Sequence, residues 1–317
     1  MLSTSVIAYL FLGGAGSGAC LWVSALNSRL ESNRSWQQLP QARGMVQRRL
    51  IAPVLAVSLA LLAMGFICLL ADLGSPEKLL SLVFSQHVSW GTVGAYALAA
   101  TMLVCLLQAL ASASGALRAH PLASRLLRLA SLALAFVTML YTGMLLYDMG
   151  GVPLWHSPAL PLLFVLSSLS SGAAVFIACS QLFESNAPVR RELDILTGID
   201  CALTAAELAA LCALLAPACG STASETLHLS ALSLLWGEYA QLFLGGAVGA
   251  GMLAPLAINL LIVQRARHGL MNPKPQLALV LLSALCALGG AAALRFCLVA
   301  AGTHPFLGVG ALYLLGT

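Results

Sequence analysis

The chain has 317 residues, of which 60% are hydrophobic and 8% charged, and its mean hydropathy is +0.94. Soluble domains carry about a quarter charged residues, so this balance excludes a soluble enzyme and defines an integral membrane protein. The net charge of +4 follows from membrane topology, traced below along the sequence, and gives no indication of a nucleic-acid partner.

Eight apolar runs, at about 4–27, 51–72, 89–112, 126–147, 159–183, 193–216, 236–263 and 276–301, are long enough to cross a hydrocarbon core of about 30 Å as helices. Long continuous runs rich in Leu and Ala exclude a strand-built barrel, which alternates polar and apolar residues in segments of about ten. The expected fold is therefore all-α with eight transmembrane helices, spans 1 to 8. Span 1 reads YLFLGGAGSGAC (9–20) and span 5 reads LFVLSSLSSGAA (163–174), the serines of one standing where the other has glycines. That echo suggests a duplication into two four-helix bundles, 1–150 and 151–317. Small residues at four-residue spacing in both, and in LFLGGAVGAG (242–251) of span 7, let helix backbones approach closely.

The loop after span 1 holds Arg29, Arg34, Arg43, Arg48 and Arg49. That after span 3 holds Arg118, Arg125 and Arg128, that after span 5 Arg190 and Arg191, and that after span 7 Arg265, Arg267 and Lys274. Thirteen of the 15 Lys and Arg thus share one side, Lys78 and Arg295 excepted. The positive-inside rule makes that side cytoplasmic and puts both termini outside. The tail HPFLGVGALYLLG (304–316) is too short to cross and is expected at the outer interface. Trp90, Trp155 and Trp236 fall near outer span ends, as an interfacial aromatic belt would.

Span 2 ends in ADLGSPEK, where Asp72 can either cap the turn set by Gly74 and Pro76 or take part in proton transfer. Asp200 and Glu207 lie seven residues apart on span 6, on one helix face, at a depth where carboxylates are costly unless paired or hydrated. Arg295 on span 8 is the natural ion-pair partner for Glu207 or Glu238. A structural salt bridge and a proton path explain this group equally well. The nine cysteines show no CxxC spacing, and the six histidines, His87, His120, His156, His228, His268 and His304, all avoid mid-span positions. A protein-ligated iron–sulfur cluster and an axially ligated haem are both disfavoured.

Between spans 4 and 5 stands a polar elbow, GGVPLWHSPALP (150–161), preceded by Asp148. The longer stretch YTGMLLYDMGGVPLWHSPALPLLFVLSSLSSG (141–172) resembles the signature region of the NrfD and polysulfide reductase membrane-subunit family. There a Tyr-x-Gly helix, a Pro-x-Trp elbow and a Leu-Pro-x-x-Phe…Ser…Gly helix follow in that order. YLFLGG of span 1 and the turn DLGSPEK are similar to two further family features. The resemblance covers nearly the whole sequence. It implies a quinone-binding anchor in a bacterial cytoplasmic membrane, exchanging electrons between a menaquinone-type quinol and a ferredoxin-like iron–sulfur subunit. That subunit would in turn serve a molybdopterin oxidoreductase subunit on the outer side.

Tyr141 matches the family's Tyr-x-Gly position and is carried over as a quinone contact. Members with a well-defined quinone site often have a His just before span 1, whereas this protein begins MLSTSVIAY. Tyr9, His87 and His156 are the candidates to supply that group, with Trp155 at the pocket mouth. Asp72, Asp200, Glu207, Glu238 and Arg295 are the proton-path candidates. Two other classes remain open, a secondary transporter and a passive anchor without a quinone site. The topology makes a direct prediction: a reporter inserted at 184–192 should read as cytoplasmic and one after Thr317 as extracytoplasmic, and cytoplasmic activity at the C-terminus would require an odd number of spans.

Overall fold

A computed structural model describes residues 4–33, 36, 38, 40–73, 90–114, 121–149, 151–183, 190–219, 225–267 and 273–302. His87, the turn from Gly74 to Lys78 and the apolar tail from 304 lie outside the described residues. All regular structure among the described residues is helical. Eight helical stretches among them are long and apolar enough to span a bilayer: Thr4–Ser32, Gln41–Asp72, Trp90–Ser114, Pro121–Tyr147, Ala159–Phe183, Arg191–Ala218, Gln241–Arg265 and Leu277–Gly302. The protein is thus an all-helical multi-pass membrane protein.

Two spans begin at places the hydropathy pattern did not mark, and each contains a π segment that ends just before a proline. Helix Pro40–Val46 runs through a π turn, Gln47–Ile51, into Ala52–Leu73, so Arg48 and Arg49 belong to the start of span 2 rather than to a loop. The Ala52 amide reaches back to the Gln47 carbonyl, and Pro53, next in sequence, has no N–H to continue a four-residue ladder. Span 7 repeats the arrangement: its π-helical first part, Gln241–Leu253, ends where the Ala254 amide bonds the Gly249 carbonyl, just before Pro255. The wider winding keeps both helices continuous past a residue that would otherwise break them. Residues 236–239, expected to open span 7, form a turn after a short helix, Glu225–Leu235.

Span 1 packs on spans 2, 4 and 5 and touches span 8, while span 5 packs on spans 6, 8 and 1 and on span 4. Span 3 joins spans 2 and 4; span 7 joins spans 6 and 8. Spans 1 and 5 are the central helices, with 67% and 78% of their most apolar stretch buried against 28% to 44% for the other six. Their backbones meet at Gly18 and Gly172, where a Cβ on either would overlap main-chain atoms of the other. Gly251 and Gly290 do the same for spans 7 and 8.

At the basic end three of the first four spans, 1, 2 and 4, are tied by one acid. Glu31 accepts from Arg43 Nη2 at 2.5 Å and from both terminal nitrogens of Arg128, the Nη1 bond being 2.6 Å. Arg128 is buried within span 4, not in the loop where sequence placed it. Its side chain is also bonded to Ser124 Oγ at 3.2 Å.

The central crossing yields a stability test. Gly18→Ala should lower stability in detergent by about 2 kcal/mol or more, because the methyl group meets the backbone around Ser168 rather than a movable side chain. Gly198→Ala, where the added group meets nothing within 4 Å, should leave thermal unfolding unchanged or raise it slightly. Equal melting temperatures for wild type and Gly18→Ala would show that the crossing is not tight.

Candidate functional site

Two groups of polar side chains lie inside the apolar bundle. The first is built on spans 5 to 8 around Asp200. Asp200, 2% exposed, accepts from Ser170 Oγ at 2.9 Å and from Asn259 Nδ2 at 2.9 Å. Asn259 in turn accepts on Oδ1 from Ser283 Oγ at 2.9 Å. Span 6 places Asp200, Thr204 and Glu207 on one face, at spacings of four and seven, and the Thr204 hydroxyl lies 3.4 Å from that of Ser170. All four spans contribute at least one polar group to a single continuous patch.

Glu207, 4% exposed, sits two helical turns beyond Asp200, about 10 Å further from the basic end. Beside it is Ser167 of span 5, in hydrogen-bonding proximity to the Glu207 carboxyl. The same Ser167 hydroxyl accepts from Arg295 Nη1 at 3.1 Å. Arg295 is fully buried; its Nη2 donates to Ser168 Oγ at 2.8 Å and its Nη1 also to the Ala291 carbonyl at 3.1 Å. The rings of Phe11 and Phe164 flank the guanidinium at 5.8 and 5.3 Å, a cation–π arrangement. Space for it comes from span 1: a Cβ on Gly14 would lie 2.9 Å from Arg295 Nη2 and 2.5 Å from Ser168 Oγ.

The expected direct ion pair of Arg295 with Glu207 or Glu238 is therefore not formed. Among the described residues the ion pairs are those of Glu31, and Ser167 separates Arg295 from Glu207. Glu238 is exposed in the turn before span 7, while Arg295 is sealed inside span 8.

The second group lies toward the end of the bundle opposite the arginines. Tyr9 of span 1 and Tyr141 of span 4, both buried, bring their hydroxyls into hydrogen-bonding proximity. Asp72, exposed at the end of span 2, is close enough for its charge to act on the Tyr9 hydroxyl. The Tyr141 ring is set against Gly94 of span 3, where any Cβ would overlap it. Gly143, one turn position on, makes room for Pro161 of span 5, whose Cα would stand 2.5 Å from a Cβ there. Four spans thus hold one phenol pair, and the pair is one and a half turns from Gly14 and hence from the Arg295 pocket.

The elbow is less open to water than its prolines and Trp–His pair suggest. A succession of turns, Val152 to Met149, Trp155 to Val152 and Leu160 to Ser157, links the backbone, and Ser157 Oγ accepts from the Ala159 amide at 3.4 Å to start span 5. Trp155 is 2% exposed, so it is no part of an interfacial belt. Its indole N–H donates to the Leu298 carbonyl at 2.9 Å and its ring covers Gly302. His156 is exposed and stacks on Tyr147 with centroids 4.8 Å apart. Trp236, 84% exposed, and half-buried Trp90 remain in surface positions. His87 lies outside the described residues.

Ser167, Ser168, Ser170, Asn259, Ser283 and Gly94 were not singled out from sequence. Asn259 was the readable one, an amide within a span with no local cap to explain it. Among the described residues no three or more His, Cys, Asp or Glu side chains converge as metal ligands.

The fold and these two groups define a class: an eight-span helical membrane protein with buried acids and hydroxyls among its last four spans and a buried phenol pair among its first four. The sequence matches the family described as polysulphide reductase, NrfD, over residues 2–306, and the protein belongs to that family. It is also similar to the C subunit of polysulfide reductase from Wolinella succinogenes, with 29% identity over 320 residues, covering 96% of this protein and 94% of that one.

The phenol pair makes a prediction in the form of a double-mutant cycle. Gly94→Ala should destabilise the protein by about 2 kcal/mol, since the methyl group displaces the Tyr141 ring. In a Tyr141→Ala background the same change should cost much less, giving a coupling of about 1 kcal/mol or more by thermal or denaturant unfolding. Additive effects would show that the ring does not rest on Gly94.

Proposed function

We propose that this protein is the quinone-binding membrane subunit of a multi-subunit oxidoreductase, with its arginine-rich ends in the cytoplasm and its quinone site at the outer end of spans 1 to 4. Family membership supports a membrane anchor of a redox complex. The name of the Wolinella relative, one lettered subunit of a reductase, supports a complex with further subunits. The expected partners are an iron–sulfur subunit and a molybdopterin subunit on the outer face. The organisation into two four-helix bundles, 1–150 and 151–317, is part of the same reading and is favoured by the matching packing of spans 1 to 4 and 5 to 8.

The observation that carries the proposal is the buried pair of Tyr9 and Tyr141 beside Asp72. A quinone requires an apolar slot with one or two groups able to hydrogen-bond its oxygens and to exchange protons, and two phenols in an aromatic and aliphatic setting fit that requirement. When bound, a menaquinone-type quinone supplies the coupled two-electron and two-proton chemistry that no side chain here can perform. Tyr141 orients the head group through its phenol, held in place by Gly94. Tyr9 bridges Tyr141 to Asp72, whose exposed carboxylate exchanges protons with water. His156, exposed at the elbow, is placed to serve the outer rim, and Trp155 to fix the elbow.

On the other side, Asp200, Thr204, Ser170, Glu207 and Ser167 form a series of exchangeable groups from the basic end toward Arg295. A carboxyl at Glu207 can take a proton from the Asp200 side and pass it along Ser167, while the fixed charge of Arg295 biases where that proton rests. Glu238, exposed and remote from these contacts, has no step in this route.

Tyr141→Phe removes one hydroxyl and little volume. It should assemble with its partners, yet lower quinol-linked turnover about tenfold or more, the scale of one lost hydrogen bond to a reacting group, while activity with an artificial donor that bypasses the quinone persists. Glu207→Gln should preserve assembly and reduce charge translocation or turnover. Wild-type quinol kinetics in Tyr141→Phe would remove the quinone assignment; normal translocation in Glu207→Gln would remove the proton route.

A further inference from the structure

At the basic end, on a side of span 6 away from the Asp200 cluster and at the opposite end from the phenol pair, a half-open slot of about 100 Å³ lies between spans 1, 5 and 6. Its depth is apolar: Trp22, Phe176, Leu196 and Ile199 form its walls. The Trp22 indole is fixed by donating to the Leu169 carbonyl at 2.9 Å, so this wall is held open. Ile195, 39% exposed, marks the side that faces out of the bundle. Spans 1 and 6 each pack on span 5 but not closely on each other, which leaves the slot accessible from the lipid.

The mouth carries two opposite charges, Arg29 from the end of span 1 and Glu192 from the first turn of span 6. Neither belongs to an ion pair among the described residues, and they do not pair with each other. Glu192 stands in the first turn of span 6 and Arg29 in the last turn of span 1. An apolar slot whose mouth carries one cation and one anion that do not pair with each other is complementary to a ligand with a hydrocarbon tail and both charges in its head.

We infer that this cavity binds a zwitterionic phospholipid with a primary ammonium, of the phosphatidylethanolamine type. The phosphate accepts charge-assisted hydrogen bonds from Arg29, the ammonium donates to Glu192, and an acyl tail lies along Leu196 and Ile199. A purely anionic head group would gain Arg29 but be repelled by Glu192. A choline head group has no N–H to donate to the carboxylate. The site is independent of the quinone assignment, being at the other end of the bundle and sharing only span 1 with it.

Native mass spectrometry of the purified full-length protein in detergent tests this directly, by titration with phosphatidylethanolamine, phosphatidylglycerol and phosphatidylcholine of identical acyl composition. The wild type should retain one phosphatidylethanolamine about tenfold more tightly than either competitor, the scale of one charge-assisted hydrogen bond. Glu192→Gln should abolish the preference over phosphatidylcholine, Arg29→Gln should weaken all three, and Leu196→Trp, which fills the slot, should remove the bound lipid. Equal retention of the three lipids by the wild type, tighter phosphatidylglycerol, a quinone mass at the site, or a preference that survives both charge substitutions would each overturn the assignment. Thermal unfolding in lipid-free detergent identifies any variant that fails to fold, and the wild-type selectivity then decides alone.

Discussion

At Gly18 and Gly172 the backbones of spans 1 and 5 touch, and the polar interior is arranged around that contact. In lipid, helices gain little from apolar contact with each other, because acyl tails solvate Leu as well as Leu does; close packing of small residues is what remains. One turn outward from the crossing, Gly14 leaves the space into which Arg295 and Ser168 project. On the other face of span 5, Ser170 is directed at Asp200. The tight contact therefore places a serine-bearing helix at the centre of the bundle, with hydroxyls available on two sides at once.

The treatment of Arg295 shows how a buried cation can be tolerated without an adjacent anion. A central arginine costs roughly 3 kcal/mol or more to insert, and a close carboxylate would lower that cost while fixing the pair in one state. Here two serine hydroxyls, a carbonyl and two aromatic faces surround the guanidinium. Glu207 stays one hydroxyl away. Its carboxyl is thereby near the charge without forming a direct ion pair with it, the arrangement on which the proposed proton route rests.

Much of this was legible in the amino-acid sequence because the bilayer imposes it. The eight spans follow from hydrocarbon thickness, and the seven-residue spacing of Asp200 and Glu207 placed them on a shared face. The serines were not legible. Ser28, Ser58 and Thr197 all donate to a carbonyl four residues back, the usual resting state of a hydroxyl in a helix, whereas Ser167, Ser168 and Ser170 reach across to neighbouring spans. Sequence does not distinguish the two, since the choice depends on what faces the helix. Trp155 misled for a related reason: an interfacial belt and a core anchor both ask for an indole near a span end, and only the approach of Gly302 selects between them. The two proline-linked π segments escaped a hydropathy reading that is indifferent to winding.

The Trp155 bond to span 8 has a mechanical side. Leu298, whose carbonyl receives the indole, stands one turn beyond Arg295 on the same helix. The elbow between spans 4 and 5 is thus a bolt thrown across to the last span, and the guanidinium lies just beneath the point where it catches. The indole bond ties the connection between two spans to the turn of a third that carries the buried cation, so that the elbow is anchored to the bundle interior and not merely laid over its end.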